Sequence, residues 1–183
     1  MNQDSMFVRE LTAEDIEPLI QYWFKDDEAF WLGMGVDVAK IPPYEVWKKM
    51  LTEQLEQPYH EKQSYCMIWV LNNELIGHSN VNRIDFGKEA YMHLHIWKPE
   101  VRQKGCGTEF VKMSIPYFFK NIQLQTLYCE PYAYNPAPNK TLEKLGFEFV
   151  KQHRTVPGWI CFEQEVNLWK LEKENFQQLY TLL

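Results

Sequence analysis

The sequence holds little that would staple, span or divide a chain. Its four cysteines, Cys66, Cys106, Cys129 and Cys161, lie far apart with no C-x-x-C pair. That spacing excludes a zinc ribbon and a small disulfide scaffold, and it predicts reduced thiols. No apolar run approaches the length of a membrane-spanning helix. The stretch Met1–Ile20 carries Asp4, Glu10, Glu14 and Asp15 and no apolar leader core, so a soluble, cytoplasmic protein with no membrane partner is expected. Basic residues are in the minority, 19 Lys and Arg against 25 Asp and Glu. The resulting net charge of −6 argues against a general nucleic-acid binder, which needs a basic face, and is compatible with a cationic partner. No Gly/Ser linker, internal repeat or low-complexity tract divides the 183 residues, so residues 1–183 are expected to form one domain. The phosphate-loop pattern G-x-x-x-x-G-K-[ST] is absent too.

What is present is a core: 45% of residues are hydrophobic and 15% aromatic, enough for a globular domain. Phe7–Leu11 reads as a first strand. Thr12 followed by Asp15 resembles a capping box and predicts a helix to about Phe24. Lys25–Pro43 reads as a long irregular connection, the kind that often binds ligands, and Tyr44 to about Gln57 as a second helix. Tyr65–Leu71 and Glu74–Ile84 predict a hairpin about Asn72-Asn73, followed by a strand over Tyr91–Trp97. The spacing of Phe110, Val111, Ile115, Phe118 and Phe119 predicts a helix beginning near Thr108. A strand over Leu124–Glu130 comes next, then a helix from Pro136 that ends at Gly146. Phe147–His153 and Trp159–Leu171 read as a last hairpin, and Phe176, Leu179, Tyr180 and Leu183 as an amphipathic tail helix. Helices flanking a mostly antiparallel sheet make an α+β fold.

One turn stands out for chemistry. Arg102-Gln103-Lys104-Gly105-Cys106-Gly107-Thr108 lies between a predicted strand and a predicted helix. Two glycines one residue apart let the backbone turn sharply and approach a ligand, and a helix start leaves N–H groups that suit a phosphate. Backbone N–H groups from Gln103 to Thr108 are therefore candidate anion ligands. Arg102 and Lys104 would add charge there or stand as solvated surface cations. For Cys106 the useful part is the backbone N–H, not the thiol.

A second motif follows in order: Cys129-Glu130-Pro131 leading to Asn135, then Thr141-Leu142-Glu143-Lys144-Leu145-Gly146-Phe147. With Trp97-Lys98-Pro99-Glu100 and the Arg102-x-x-Gly105-x-Gly107 turn, it resembles the GNAT superfamily of acyl-CoA N-acyltransferases. The nearer likeness is to the Rim-type branch, named for ribosomal-protein N-terminal acetyltransferases. The resemblance spans roughly Ser64–Leu171. It implies a GNAT fold with a central mixed, mostly antiparallel sheet splayed in the middle and helices on both faces. It further implies transfer of acetyl from acetyl-CoA directly to a primary amine, on a protein N-terminus or a small molecule, without an acyl-enzyme. The turn would hold the coenzyme A pyrophosphate, and Asn135 would cap its helix and bond the pantetheine arm. A main-chain N–H of Ile96 or Trp97 would polarise the thioester carbonyl.

His93 and His95 lie two apart on one strand, sharing a face with Tyr91 and Trp97. Either one is a candidate base for the attacking amine, or both pack as hydrogen-bonded residues. A metal held by His78, His93 and His95 lacks a carboxylate or thiol to complete the ligand set, so none is expected. Asp26 and Trp31 are candidate acceptor contacts, with a solvated acid and a buried indole as the plainer alternative. Leu142 stands where many family members place a proton-donating tyrosine, and Pro138 where the branch usually has serine. The thiolate's proton would then come from solvent or from Tyr128, Tyr132 or Tyr134. These departures keep open a non-catalytic acyl-CoA-binding module with the same fold. The aromatic-rich surface and tail helix leave a homodimer possible.

Overall fold

The computed structural model describes residues 5–25, 27–102 and 105–180. Its elements are β1 (Met6–Glu10), α1 (Ala13–Trp23), α2 (Glu28–Gly33), α3 (Tyr44–Glu56), β2 (Ser64–Leu71), β3 (Glu74–Asp85), β4 (Glu89–Ile96), α4 (Cys106–Asn121), β5 (Thr126–Cys129), α5 (Pro136–Lys144), β6 (Glu148–Thr155), β7 (Gln164–Glu172) and α6 (Lys173–Tyr180). The strands form a seven-stranded sheet in the order β1-β2-β3-β4-β5-β7-β6. Every neighbouring pair is antiparallel except β4 and β5, which α4 connects as a parallel crossover. This is the α+β, mixed but mostly antiparallel sheet that the sequence pattern implied.

The sheet is covered on both faces over β2, and that explains the near-continuous apolar run there. Tyr65, Met67 and Trp69 join a core with Phe110, Ile115 and Phe118 of α4, Leu142 and Leu145 at α5, and Phe176 of α6. Cys66, Ile68 and Val70 join the opposite core with Ile16, Leu19, Ile20, Tyr22 and Trp23 of α1, Trp31 of α2 and Trp47 of α3. At the start of α1, Asp15 accepts the Thr12 N–H at 2.8 Å and an Arg9 N–H at 2.7 Å while being 1% exposed. Burial alone would raise its pKa, but the Arg9 and Thr12 donors outweigh burial and hold it below the usual carboxylate value.

Two expectations need correction. Lys25–Pro43 is not irregular throughout: it holds α2 and a short 3₁₀ turn at Val38–Lys40. Asp27 caps α2 through the Phe30 N–H at 3.0 Å, and Asp37 caps the 3₁₀ turn through the Ala39 N–H at 3.1 Å. Both acids thus mark helix starts within a stretch that reads as irregular. The last hairpin also turns later than expected. Residues 156–163 form a strap, not a strand, because Pro157 and Gly158 break the ladder and the chain crosses to α2 instead. There the Asp37 N–H donates to Ile160 O at 2.8 Å, Lys40 Nζ to Cys161 O at 2.7 Å and Gln164 Nε2 to Gly35 O at 2.8 Å.

Candidate active site

The sheet opens between β4 and β5. Their parallel ladder runs from Glu89↔Thr126 to Met92↔Cys129 and stops there, while β4 continues to Ile96. The Trp97 N–H donates to Ile76 O at 2.8 Å, so Trp97 faces β3. By the alternation of an antiparallel ladder, the main-chain groups of Leu94 and Ile96 face the other way, into the opening. The Trp97 N–H is therefore committed to the sheet and drops out as an oxyanion donor. Ile96 is the candidate that remains.

At the mouth of this gap stands the start of α4. Gly105 takes φ +79°, a left-handed conformation that suits glycine, and α4 begins at the next residue. The Thr108 N–H is spent on Gly105 O at 3.2 Å, and a helix start of this kind, opened by Gly105 with Gly107 in its first turn, suits an anion. A Cβ on Gly107 would lie 3.2 Å from Ile96 Cδ1, so this glycine lets the turn sit against the end of β4. The Cys106 thiol donates to Val101 O. Arg102 points away from the turn: its Nη2 and Nε lie 3.0 and 3.3 Å from Ile96 O, and its guanidinium sits 4.1 Å over the Phe30 ring. Gln103, Lys104 and Asp26 lie outside the described residues.

Across the gap, Asn135 caps α5 by accepting the Ala137 N–H at 3.3 Å. Its neighbour Asn139, which sequence reasoning passed over, does more to hold this wall. Asn139 Oδ1 accepts from Trp169 Nε1 at 2.8 Å and Asn167 Nδ2 at 2.9 Å, and its Nδ2 donates to the carbonyls of Tyr132 and Asn135. Leu142 is fully buried in the core, so nothing in its place can give up a proton. Pro138 occupies the first turn of α5, where its missing N–H costs no helical hydrogen bond.

Tyr91, His93, His95 and Trp97 share the face that meets α1. His95 Nδ1 lies 3.3 Å from Tyr22 Oη, and its ring stacks 4.8 Å from His78 and 4.8 Å edge-on to Trp23. His78 accepts from Trp97 Nε1 at 2.7 Å. Burial holds all three imidazoles neutral: His78 is pushed down to about 3, His93 to about 4, and His95 well below its ordinary value. Burial likewise raises the Tyr22 hydroxyl. His93 Nε2 pairs with Asn82 Oδ1 at 3.1 Å, and Gly158 of the strap passes beside its ring. Trp31 is 1% exposed and stacks 5.0 Å from Trp23, with its Nε1 donating to Lys25 O. A side chain so enclosed is core, and it cannot touch an acceptor from there.

The charged group beside the gap is Glu130, the first residue past the β4–β5 ladder. Tyr91 and Tyr128 stack at 5.2 Å, so Glu130, two residues on, projects to the same face as His93. Its carboxylate is 5% exposed and bridges Arg83 at 3.1 Å and His153 at 3.0 Å. Arg83 reaches it across the Tyr91 ring. The sequence held a hint in Cys129-Glu130-Pro131, but its partners come from β3 and β6, remote in the chain. Among the described residues no group of three or more His, Cys, Asp or Glu is placed to hold a metal ion, and no helix is long and apolar enough to cross a membrane.

Known proteins share this arrangement. The Acetyltransferase (GNAT) domain family matches residues 6–148. Ribosomal-protein-S5-alanine acetyltransferase from Vibrio fischeri superposes with a TM-score of 0.77 at 17% identity, covering 96% of this chain and 97% of its own. The ribosomal alpha-N-protein acetyltransferase RimL in complex with coenzyme A gives 0.75 at 14% identity, covering 93% of this chain and 96% of its own. An aminoglycoside acetyltransferase in complex with coenzyme A gives 0.69 at 17% identity, covering 95% and 98%. No curated protein sequence matches the chain. A left-handed glycine ahead of a helix start, a sheet that opens beside it and a family match over most of the length agree: the chain belongs to the GNAT family of acetyltransferases.

Proposed function

We propose that this N-acetyltransferase binds acetyl-CoA with its pyrophosphate on the N–H groups of Gly105, Cys106 and Gly107 and its pantetheine arm in the gap along Leu94 and Ile96. The acceptor is a primary amine that enters from the face of His93, His95 and Glu130. The observation that carries this reading is the end of the β4–β5 ladder at Met92↔Cys129 while β4 runs on to Ile96, against which Gly107 of α4 is set. Main-chain groups left without a strand partner suit an extended amide-bearing arm, and a helix N-terminus suits its phosphates.

In the reaction the amine nitrogen attacks the thioester carbon, the C–N bond forms and the C–S bond breaks. The Ile96 N–H stabilises the oxyanion. Glu130 accepts the proton the amine sheds, directly or through water, while Arg83 and His153 hold its carboxylate toward the gap. His93, neutral and tied to Asn82, stands on this face, and His95 packs behind it against Tyr22 and Trp23. The departing thiolate takes a proton from solvent or from Tyr132 or Tyr134, on the segment between β5 and α5. Protein N-termini and amino sugars, the acceptors that the names of the similar structures carry, both fall within this reading. Four free cysteines, with Cys66 and Cys129 buried, support a reducing, cytoplasmic setting. The exposed Phe149 and Val150 on edge strand β6 are where a homodimer would be sought.

Calorimetry tests the donor half: CoA binds, ATP and NAD do not, and Gly107→Trp abolishes CoA binding by filling the turn. A Gly107→Trp variant that binds CoA with unchanged affinity overturns the placement. Thiol release from acetyl-CoA with an alanine-initiated peptide, an aminoglycoside and a linear polyamine tests the acceptor half.

A further inference from the structure

Arg102 makes two contacts that a phosphate ligand would not need. Its Nη2 and Nε both donate to Ile96 O, at 3.0 and 3.3 Å, and its guanidinium lies flat against Phe30 of α2, 4.1 Å from the ring centroid. It has no carboxylate partner among the described residues. Ile96 O faces the gap where the pantetheine arm would lie, so Arg102 sits on a carbonyl that the donor substrate would use. Phe30 in turn packs against Trp31 at 4.9 Å and joins the core beneath α1, on the acceptor side of the sheet. One side chain therefore spans the two halves of the site.

We propose that Arg102 is a latch between the donor gap and the acceptor wall. Without coenzyme A it caps Ile96 O and pins α2 through Phe30. When the pantetheine arm takes the Ile96 carbonyl, the guanidinium leaves Phe30 for the phosphates at the start of α4, and α2 loses that anchor. Donor binding thereby loosens the wall past which the amine must come. The physical basis is competition. A cation–π contact and two hydrogen bonds exist only in the free state, so they subtract from the apparent affinity for CoA. The inference rests on the placement of CoA proposed above.

Phe30→Leu tests it, because it removes the aromatic face under Arg102 while keeping an apolar side chain, and it leaves Arg102 itself and the backbone of the turn unchanged. Calorimetry with CoA should show about two- to five-fold tighter binding by Phe30→Leu than by the parent protein, the range a partly exposed cation–π contact spans. Hydrogen exchange of the parent protein should rise across residues 28–36 when CoA is added. Unchanged or weaker CoA binding by Phe30→Leu overturns the latch, since Arg102 then stays on Phe30 or Phe30 itself supports CoA. Should Phe30→Leu fail to fold, the exchange measurement decides alone: no rise across residues 28–36 at saturating CoA overturns the latch. Failure of the parent protein to bind CoA removes the functional reading as well, so the two failures are distinct.

Discussion

Lowering the pH from 7.5 to 5 should destabilise this protein for a reason located at His78. The residue is 3% exposed, accepts from Trp97 Nε1 and stacks on His95, and burial pushes it down to about 3 from an ordinary value near 6.5. At pH 5 the folded protein keeps this imidazole neutral, whereas the unfolded chain protonates it. Each pH unit below the unfolded value then costs about 1.4 kcal/mol, so His78 alone removes about 2 kcal/mol at pH 5. His93 and His95, also held neutral by burial, add losses of the same sign. Asp15 acts elsewhere on the scale: its lowered pKa keeps it ionised through this window, and its contribution is lost only at still lower pH. Urea titrations at pH 7.5 and 5 measure the difference directly. His78→Gln should shrink it by about 2 kcal/mol while lowering stability at pH 7.5 through the lost packing and hydrogen bond. Equal stability at the two pH values, or the same difference in His78→Gln as in the parent, refutes the argument.

Replacing Glu130 by Gln keeps its shape and removes its charge. It should lower kcat by roughly 10²- to 10⁴-fold in the thiol-release assay with CoA affinity unchanged, and a loss of CoA binding instead would make Glu130 structural. Gly35→Ala strains a residue at φ +79° and would set a Cβ 2.0 Å from Gln164 Oε1. It should destabilise by roughly 1–3 kcal/mol in urea titration and open the strap to proteolysis at residues 156–163; a protein as stable as the parent and uncut there would show that the strap is not anchored at Gly35.

The glycine turn ahead of α4 was legible because its signals are local. A glycine spacing and the helix behind it report a backbone conformation that neighbours in sequence set on their own. The order of strands and helices was legible for the same reason, through the continuous apolar run of β2 and the apolar spacing of α4. Where local signals mislead, a residue type has two uses. Lys25–Pro43 read as an irregular connection and holds two helical turns capped by Asp27 and Asp37, and of the two readings open for Trp31, acceptor contact or buried indole, the structure takes the second.

Sequence alone thus determined the Gly105-x-Gly107 turn, the Asn135 cap and the family to which the chain belongs. Tertiary structure decided the rest. It turned the Trp97 N–H into the sheet, set the Arg102 guanidinium on the Ile96 carbonyl, shut His78 and His95 among α1 aromatics, and joined Glu130 to Arg83 and His153. The reason is distance along the chain. Hydrogen-bond direction in a sheet depends on which strand lies alongside, and the environment of a charge depends on burial by residues many positions away.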